Sequence, residues 1–197
     1  NSACWFEATF LMISLHSPDH VKSQVKLINT ICRLTSLLVP GSMVGMFLGP
    51  HGLLAKSWYW LGHQGWEYVE LGKIWQIILG IVFIIWAITI YRGIKPVMKV
   101  KQPWALPNWL VYTTFSIILL LISGFIATPN TNFVIADFWR WMVVHMWAEA
   151  FFEVFTTVLI GYFMVLMGLI SKQAAIRVIY LATLLFLGSG LLGISHN

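Results

Sequence analysis

The segment His145-Met-Trp-Ala-Glu149-Ala-Phe-Phe-Glu153 places an imidazole and two carboxylates at successive four-residue steps. On an α-helix this spacing stacks them on one face, about 6 Å apart along the axis. An imidazole nitrogen and a carboxylate oxygen one turn apart can chelate one metal, and such donors suit iron or another borderline transition ion. Glu153, one turn further, has three roles open to it: proton carrier, partner behind the ligands, or bridging ligand. The plainer alternative is a buried His145–Glu149 ion pair with Glu153 held neutral. All three groups lie in an apolar stretch. An ionisable side chain inside a membrane span costs on the order of a few kcal/mol unless it is paired, solvated or metal-bound. A helix carrying three of them in a row is therefore poorly explained as scaffold.

The elements that must position these groups follow from composition. Hydrophobic residues make up 59% of the 197-residue chain and charged residues 10%, whereas soluble domains are typically about a quarter charged. This is the composition of a bilayer protein. Eleven Trp and thirteen Phe suit interface belts and tightly packed helices. Apolar stretches close to the spanning length of roughly 20 residues run over 27–48, 74–91, 109–127, 138–170 and 174–194, with a shorter one over 2–15. Pro40 is an expected kink in the second. The fold class is all-α, a polytopic transmembrane bundle of about six helices forming a single domain over 1–197. The chain opens on Asn1 without an initiator Met and closes on His196-Asn197 after an apolar run. That reads as an internal piece of a longer protein. Cys4 and Cys32 lie in different apolar stretches with no CxxC, so both are expected to be packing residues without a disulfide.

Basic residues orient the bundle. Loops on one side carry Lys22, Lys26, Arg92, Lys95, Lys99, Lys101, Lys172 and Arg177, while the other side carries Lys56, Lys73 and Arg140 with Glu67, Glu70 and Asp137. The positive-inside rule makes the first side cytoplasmic. The net charge of +5 is thus a topology signal, and no nucleic-acid partner is implied. The last apolar stretch starts on the cytoplasmic side, so His196 arrives near the extracytoplasmic side. His145, about two turns from Asp137, lies in that same half, and the two histidines can meet at similar depth.

HMWAEAFFE at 145–153, followed by a helix ending in GISHN, resembles the nitric oxide reductase branch of the haem-copper oxidase superfamily. The stretch WYWLGHQGWEYVELGKIWQ at 58–76 is similar to the quinol-dependent members of that branch. The resemblance implies a subunit I-like bundle holding a low-spin and a high-spin haem b, the latter facing a non-haem iron. By motif, it makes His145, Glu149 and His196 iron ligands, with Glu153 supporting the site or its protons. It places Glu67 and Glu70 near the haem propionates, one of them at a calcium site in relatives. The haem ligands would lie outside this chain, so none of His16, His20, His51 or His63 needs to bind haem. Nitric oxide is the implied substrate, quinol an implied electron donor, and a bacterial cytoplasmic membrane the implied location, with membrane lipids as surroundings.

Two positions depart from the reductase pattern. Asn197 stands where the reductases continue with a second histidine, and Ala150 where they usually have Gly. An amide oxygen is a weaker donor than imidazole, so the iron would keep a weakly held or open position. These departures resemble the divergent group of nitric oxide dismutases, which are proposed to turn two NO into N2 and O2. Two readings from other classes remain: a proton channel or transporter with a metal-free relay through His145, Glu149 and Glu153, and a non-catalytic subunit, against which the desolvation cost of buried carboxylates argues.

Overall fold

The computed structural model describes residues 9–11, 14, 18–48, 58–62, 71–99 and 101–192. The described residues are almost entirely helical, as expected where a peptide group has no water to bond and must be satisfied by its own segment. The first long helix, α1 (Pro18–Leu48), is followed by a single turn, α2 (Trp58–Leu61). Next come α3 (Lys73–Ile94) and, after a loop, α4 (Leu106–Leu121), which tightens into a 3-10 turn over Ile122–Phe125. A continuous helical run then consists of α5 (Phe133–Trp141), a π-helical segment (Met142–Phe151) and α6 (Phe152–Leu166). The last helix is α7 (Lys172–Leu192). Among the described residues, four segments are long and apolar enough to cross a bilayer: Gln24–Leu48, Lys73–Val97, Leu106–Phe125 and Phe133–Leu166.

The helices pack in chain order: α1 against α3, α3 against α4, α4 against α6, and α6 against α7. Trp86, Ile90, Leu110, Ile117, Phe155 and Ile179 are fully buried between them. The outer surface is apolar too, with Ile74, Ile77, Ile81, Ile84 and Ile88 forming an exposed stripe along α3. Apolar residues all round a helix mark a membrane span. Since lipid tails are as apolar as these side chains, close packing and internal hydrogen bonds hold the helices together.

The tightest corner is α1 on α3. Gly41 and Gly45 sit one turn apart, a small-xxx-small spacing that lets helices approach closely. A Cβ on Gly41 would overlap the Trp75 indole, and one on Gly45 the Leu61 carbonyl. That carbonyl accepts the Trp75 Nε1–H at 3.0 Å, so one indole closes α1, α2 and α3 together.

Several boundaries differ from those expected. Helix α1 begins at Pro18, a residue suited to a first helical turn, so His20, Lys22 and Lys26 belong to the helix and not to a loop. Pro40 stays inside this helix. The helix expected over 138–170 starts at Phe133, where the Asn132 side chain accepts the Val134 N–H at 3.0 Å. It ends before Gly168, whose φ of 73° is the left-handed geometry that glycine adopts at low cost. The bonds from Gly168 N–H to Val165 O (3.1 Å) and Leu169 N–H to Met164 O (2.9 Å) complete a Schellman cap. Cys32 is a free thiol exposed on α1 and not a packing residue; Cys4 lies outside the described residues.

Gly45→Ala should cost about 1–3 kcal/mol, as overpacking typically does, and lower the thermal midpoint of the detergent-purified full-length protein. Gly188→Ala, where a Cβ meets nothing within 4 Å, should leave the midpoint unchanged or raise it. Equal losses at the two positions would overturn the special role of this corner.

Candidate functional site

His145 lies within the ten-residue π-helical segment, and the backbone of Glu149 lies there too. Most π-helical turns occur as short bulges inside α-helices, frequently at functional sites. Bonding from i to i+5 takes more than four residues per turn, so a residue at i+4 falls just short of a full turn. In an α-helix it falls just beyond one. His145 and Glu149 therefore keep a common face, although the helix beneath them is not the α-helix expected from spacing.

Aromatic packing fixes the segment. The Trp147 ring meets Phe83 of α3 at 5.9 Å and Phe152 at 5.3 Å, both nearly edge-on. Phe83 also contacts Trp86 at 5.7 Å and Phe152 at 5.9 Å, and Trp86 contacts Phe155 at 5.1 Å. Each such pair contributes roughly 0.5–1.5 kcal/mol beyond area burial. Trp147 is two positions from His145 and so points to the opposite side of the helix. Its anchoring to α3 consequently sets the direction of the His145 face. His145 is half-buried and stacks on Trp141, with ring centroids 6.0 Å apart and planes tilted by 26°.

The remaining expected site residues are more dispersed. Glu153 is exposed in the first turn of α6, and its backbone carbonyl accepts the Thr157 hydroxyl at 3.0 Å. The Glu149 side chain is not among those described, and Glu67, Glu70, His196 and Asn197 lie outside the described residues. Among the described residues no three His, Cys, Asp or Glu side chains converge. The donor types nonetheless fit a non-haem metal, since imidazole on one helix face with a carboxylate a turn away matches what borderline ions prefer.

A second polar group, missed by the sequence reading as anything beyond a topology marker, sits at the same end of the bundle. Lys73 is 95% buried, at 5% exposure, although it opens α3. Its Nζ donates to Gln76 Oε1 at 3.2 Å and to the Gly124 carbonyl at 3.0 Å, and lies over the rings of Tyr59 (5.8 Å) and Phe125 (5.5 Å). Gln76 Nε2 donates on to Leu71 O at 2.8 Å. One ammonium thus ties α2, α3 and the end of α4 together. The signal was present in LGKIWQ, where Lys73 and Gln76 are three residues apart and share a helix face.

A scan against protein families matches residues 3–197 to the family described as Cytochrome C and Quinol oxidase polypeptide I. The chain belongs to this family. It is therefore part of a membrane oxidoreductase of the haem-copper oxidase type, and the helical architecture agrees with that membership. No curated protein sequence matches the chain to narrow the family further. In this family haem and metal are the usual cofactors, and the half-buried His145 on its π-helical segment is a described side chain able to hold metal.

Lys73→Met keeps most of the side-chain volume but removes the bridge to Gly124 O. Leaving that buried carbonyl unsatisfied should cost about 1–3 kcal/mol, read as a lowered thermal midpoint of the full-length protein. An unchanged midpoint would show that the clamp does not hold these helices.

Proposed function

We propose that this member of the oxidase family converts nitric oxide, in the manner of the dismutase group: two NO yield N2 and O2. The observation that carries the reading is the carboxylate-bearing face of the π-helical segment, with Glu149 one turn from His145. Asn197, at the position of a second histidine in the reductases it resembles, directs the reading from reduction towards dismutation.

In this reading His145, Glu149 and His196 hold a non-haem iron, with Asn197 offering a weak amide donor. Iron facing a haem would supply the redox chemistry when bound. The chain's own contribution is to orient those donors through the Trp147–Phe83 anchor, to exclude water with the aromatic core, and to carry protons on Glu153. Dismutation has no net electron demand, because both nitrogen and oxygen leave as elements from two NO. Reduction instead takes two electrons and two protons to give N2O and water. A quinol-dependent reductase is the second reading, and the likeness of residues 58–76 to quinol-dependent relatives favours it. In either case a bacterial cytoplasmic membrane is the proposed setting.

Purified full-length protein given NO without oxygen or reductant should release O2 and N2 together; N2O as the only product would overturn the dismutase reading in favour of the reductase. Asn197→His should shift products towards N2O or abolish O2 release.

The iron assignment has its own test. Substitutions behind metal ligands typically cost about 10–100-fold in affinity, so His145→Ala, which removes a donor outright, should cost at least about that while both haems remain. Unchanged non-haem iron content in His145→Ala would remove His145 from the ligand set.

A further inference from the structure

Three spanning segments meet at the end of the bundle that the positive-inside rule makes cytoplasmic. A cavity of about 370 Å³ opens there between the 98–105 loop, α4, α6 and α7. Its size falls within the roughly 300–1,000 Å³ typical of small-molecule sites. Leu106, Val165 and Ile176 form an apolar wall, while Lys99, Gln102 and Lys172 supply polar groups. No acidic residue lines it among the described residues.

The depth of this cavity is informative. One spanning segment ends at Val97, the next begins at Leu106, and a third ends at Leu166, so the cavity lies where hydrocarbon gives way to headgroups. Trp104, Trp109 and Tyr180 cluster at the same end, with centroids 5.5 to 6.2 Å apart. Aromatic side chains of this kind collect at headgroup level.

The rims are held in place by hydrogen bonds. Asn108 is 3% exposed; its Oδ1 accepts the Lys99 N–H at 3.2 Å, and its Nδ2 donates to the carbonyls of Lys99 (3.1 Å), Gln102 (3.3 Å) and Pro103 (3.3 Å). The other rim combines the Gly168 cap with Ser171, whose Oγ accepts the Ala174 N–H at 3.2 Å. Lys99 and Lys172 therefore line the same cavity from two separately held stretches of backbone. Basic pockets between helices on the cytoplasmic side bind anionic lipid headgroups. We propose that this cavity seats one anionic phospholipid, with its phosphate between Lys99 and Lys172 and an acyl chain along Leu106, Val165 and Ile176. The proposal is independent of the nitric oxide chemistry.

Native mass spectrometry of the full-length protein, with phosphatidylglycerol and phosphatidylcholine supplied equally, tests it. Phosphatidylglycerol should be retained preferentially, and Lys99→Ala or Lys172→Ala should each lower that preference about fivefold, the worth of one basic residue near an anionic surface. Lys101→Ala, outside the cavity lining, should leave it unchanged. Ile176→Trp should reduce phosphatidylglycerol retention without altering charge. Equal retention of the two lipids, or equal losses in Lys101→Ala and Lys99→Ala, would overturn the proposal. So would absence of any retained phospholipid, the result expected if another segment of the full-length chain covers the cavity.

Discussion

Lipid offers no hydrogen-bond partner to a peptide group, so every N–H and C=O within the bilayer must be satisfied by protein. The described spans meet this requirement with helices, and the π-helical segment over Met142–Phe151 meets it with a different bonding interval. Side chains obey the same rule. Thr113, Thr114 and Thr89 are buried, and each hydroxyl donates to a carbonyl three or four residues back in its own helix. Lys73 and Asn108, also buried, bond chiefly to backbone carbonyls that no helix interior has claimed: Gly124 O in the closing 3-10 turn for Lys73, and the loop carbonyls of Lys99, Gln102 and Pro103 for Asn108.

This constraint explains how the site can be shaped without weakening the helix that carries it. Changing from i+4 to i+5 bonding alters the number of residues per turn while keeping backbone groups paired. Side chains beyond the segment are rotated relative to their positions on an uninterrupted α-helix. The rotation has a firm reference, because Trp147 packs against Phe83 of α3. His145, on the opposite side, takes its direction from that anchor. Trp141 stacks on its ring and limits its tilt.

Much of the fold was legible in the sequence because the hydrocarbon thickness fixes helix length. The stretches over 27–48, 74–91, 109–127 and 138–170 each fall largely within a spanning segment. Alternating basic loops correctly grouped Lys99 with Lys172 at one end, and Lys73 with the far end of α4. Boundaries were less legible where polar residues continued a helix, as Lys22 and Lys26 do in α1. The start at Asn132 was not legible from hydropathy, because the cap and Asp137 precede the uninterrupted apolar run. The π-helical segment had no sequence signature, because His145 and Glu149 share a face under either helical pitch. The spacing thus identified the donors but not the backbone that presents them. Burial of Lys73 depends on Gly124 and Phe125, some fifty residues away, and no local pattern encodes that meeting.

Polar groups within the spans are satisfied in different ways, according to whether they can donate. A threonine hydroxyl inside a span is satisfied by its own helix, since it can donate to a carbonyl one turn back. A lysine or asparagine can likewise donate to spare carbonyls near a helix end. An ionised glutamate only accepts, and within a helix interior the backbone N–H groups are already committed to carbonyls of the same helix. A carboxylate at position 149, near the end of the π-helical segment but inside the continuous helical run, cannot use the device that serves Thr113 and Thr114. It needs a proton, a donor from another element, or a cation. In the proposed reading, His145, one turn away in sequence, would share the cation with it. Within the proposed reading, the position of His145 and Glu149 away from either helix end adds to the argument from their spacing.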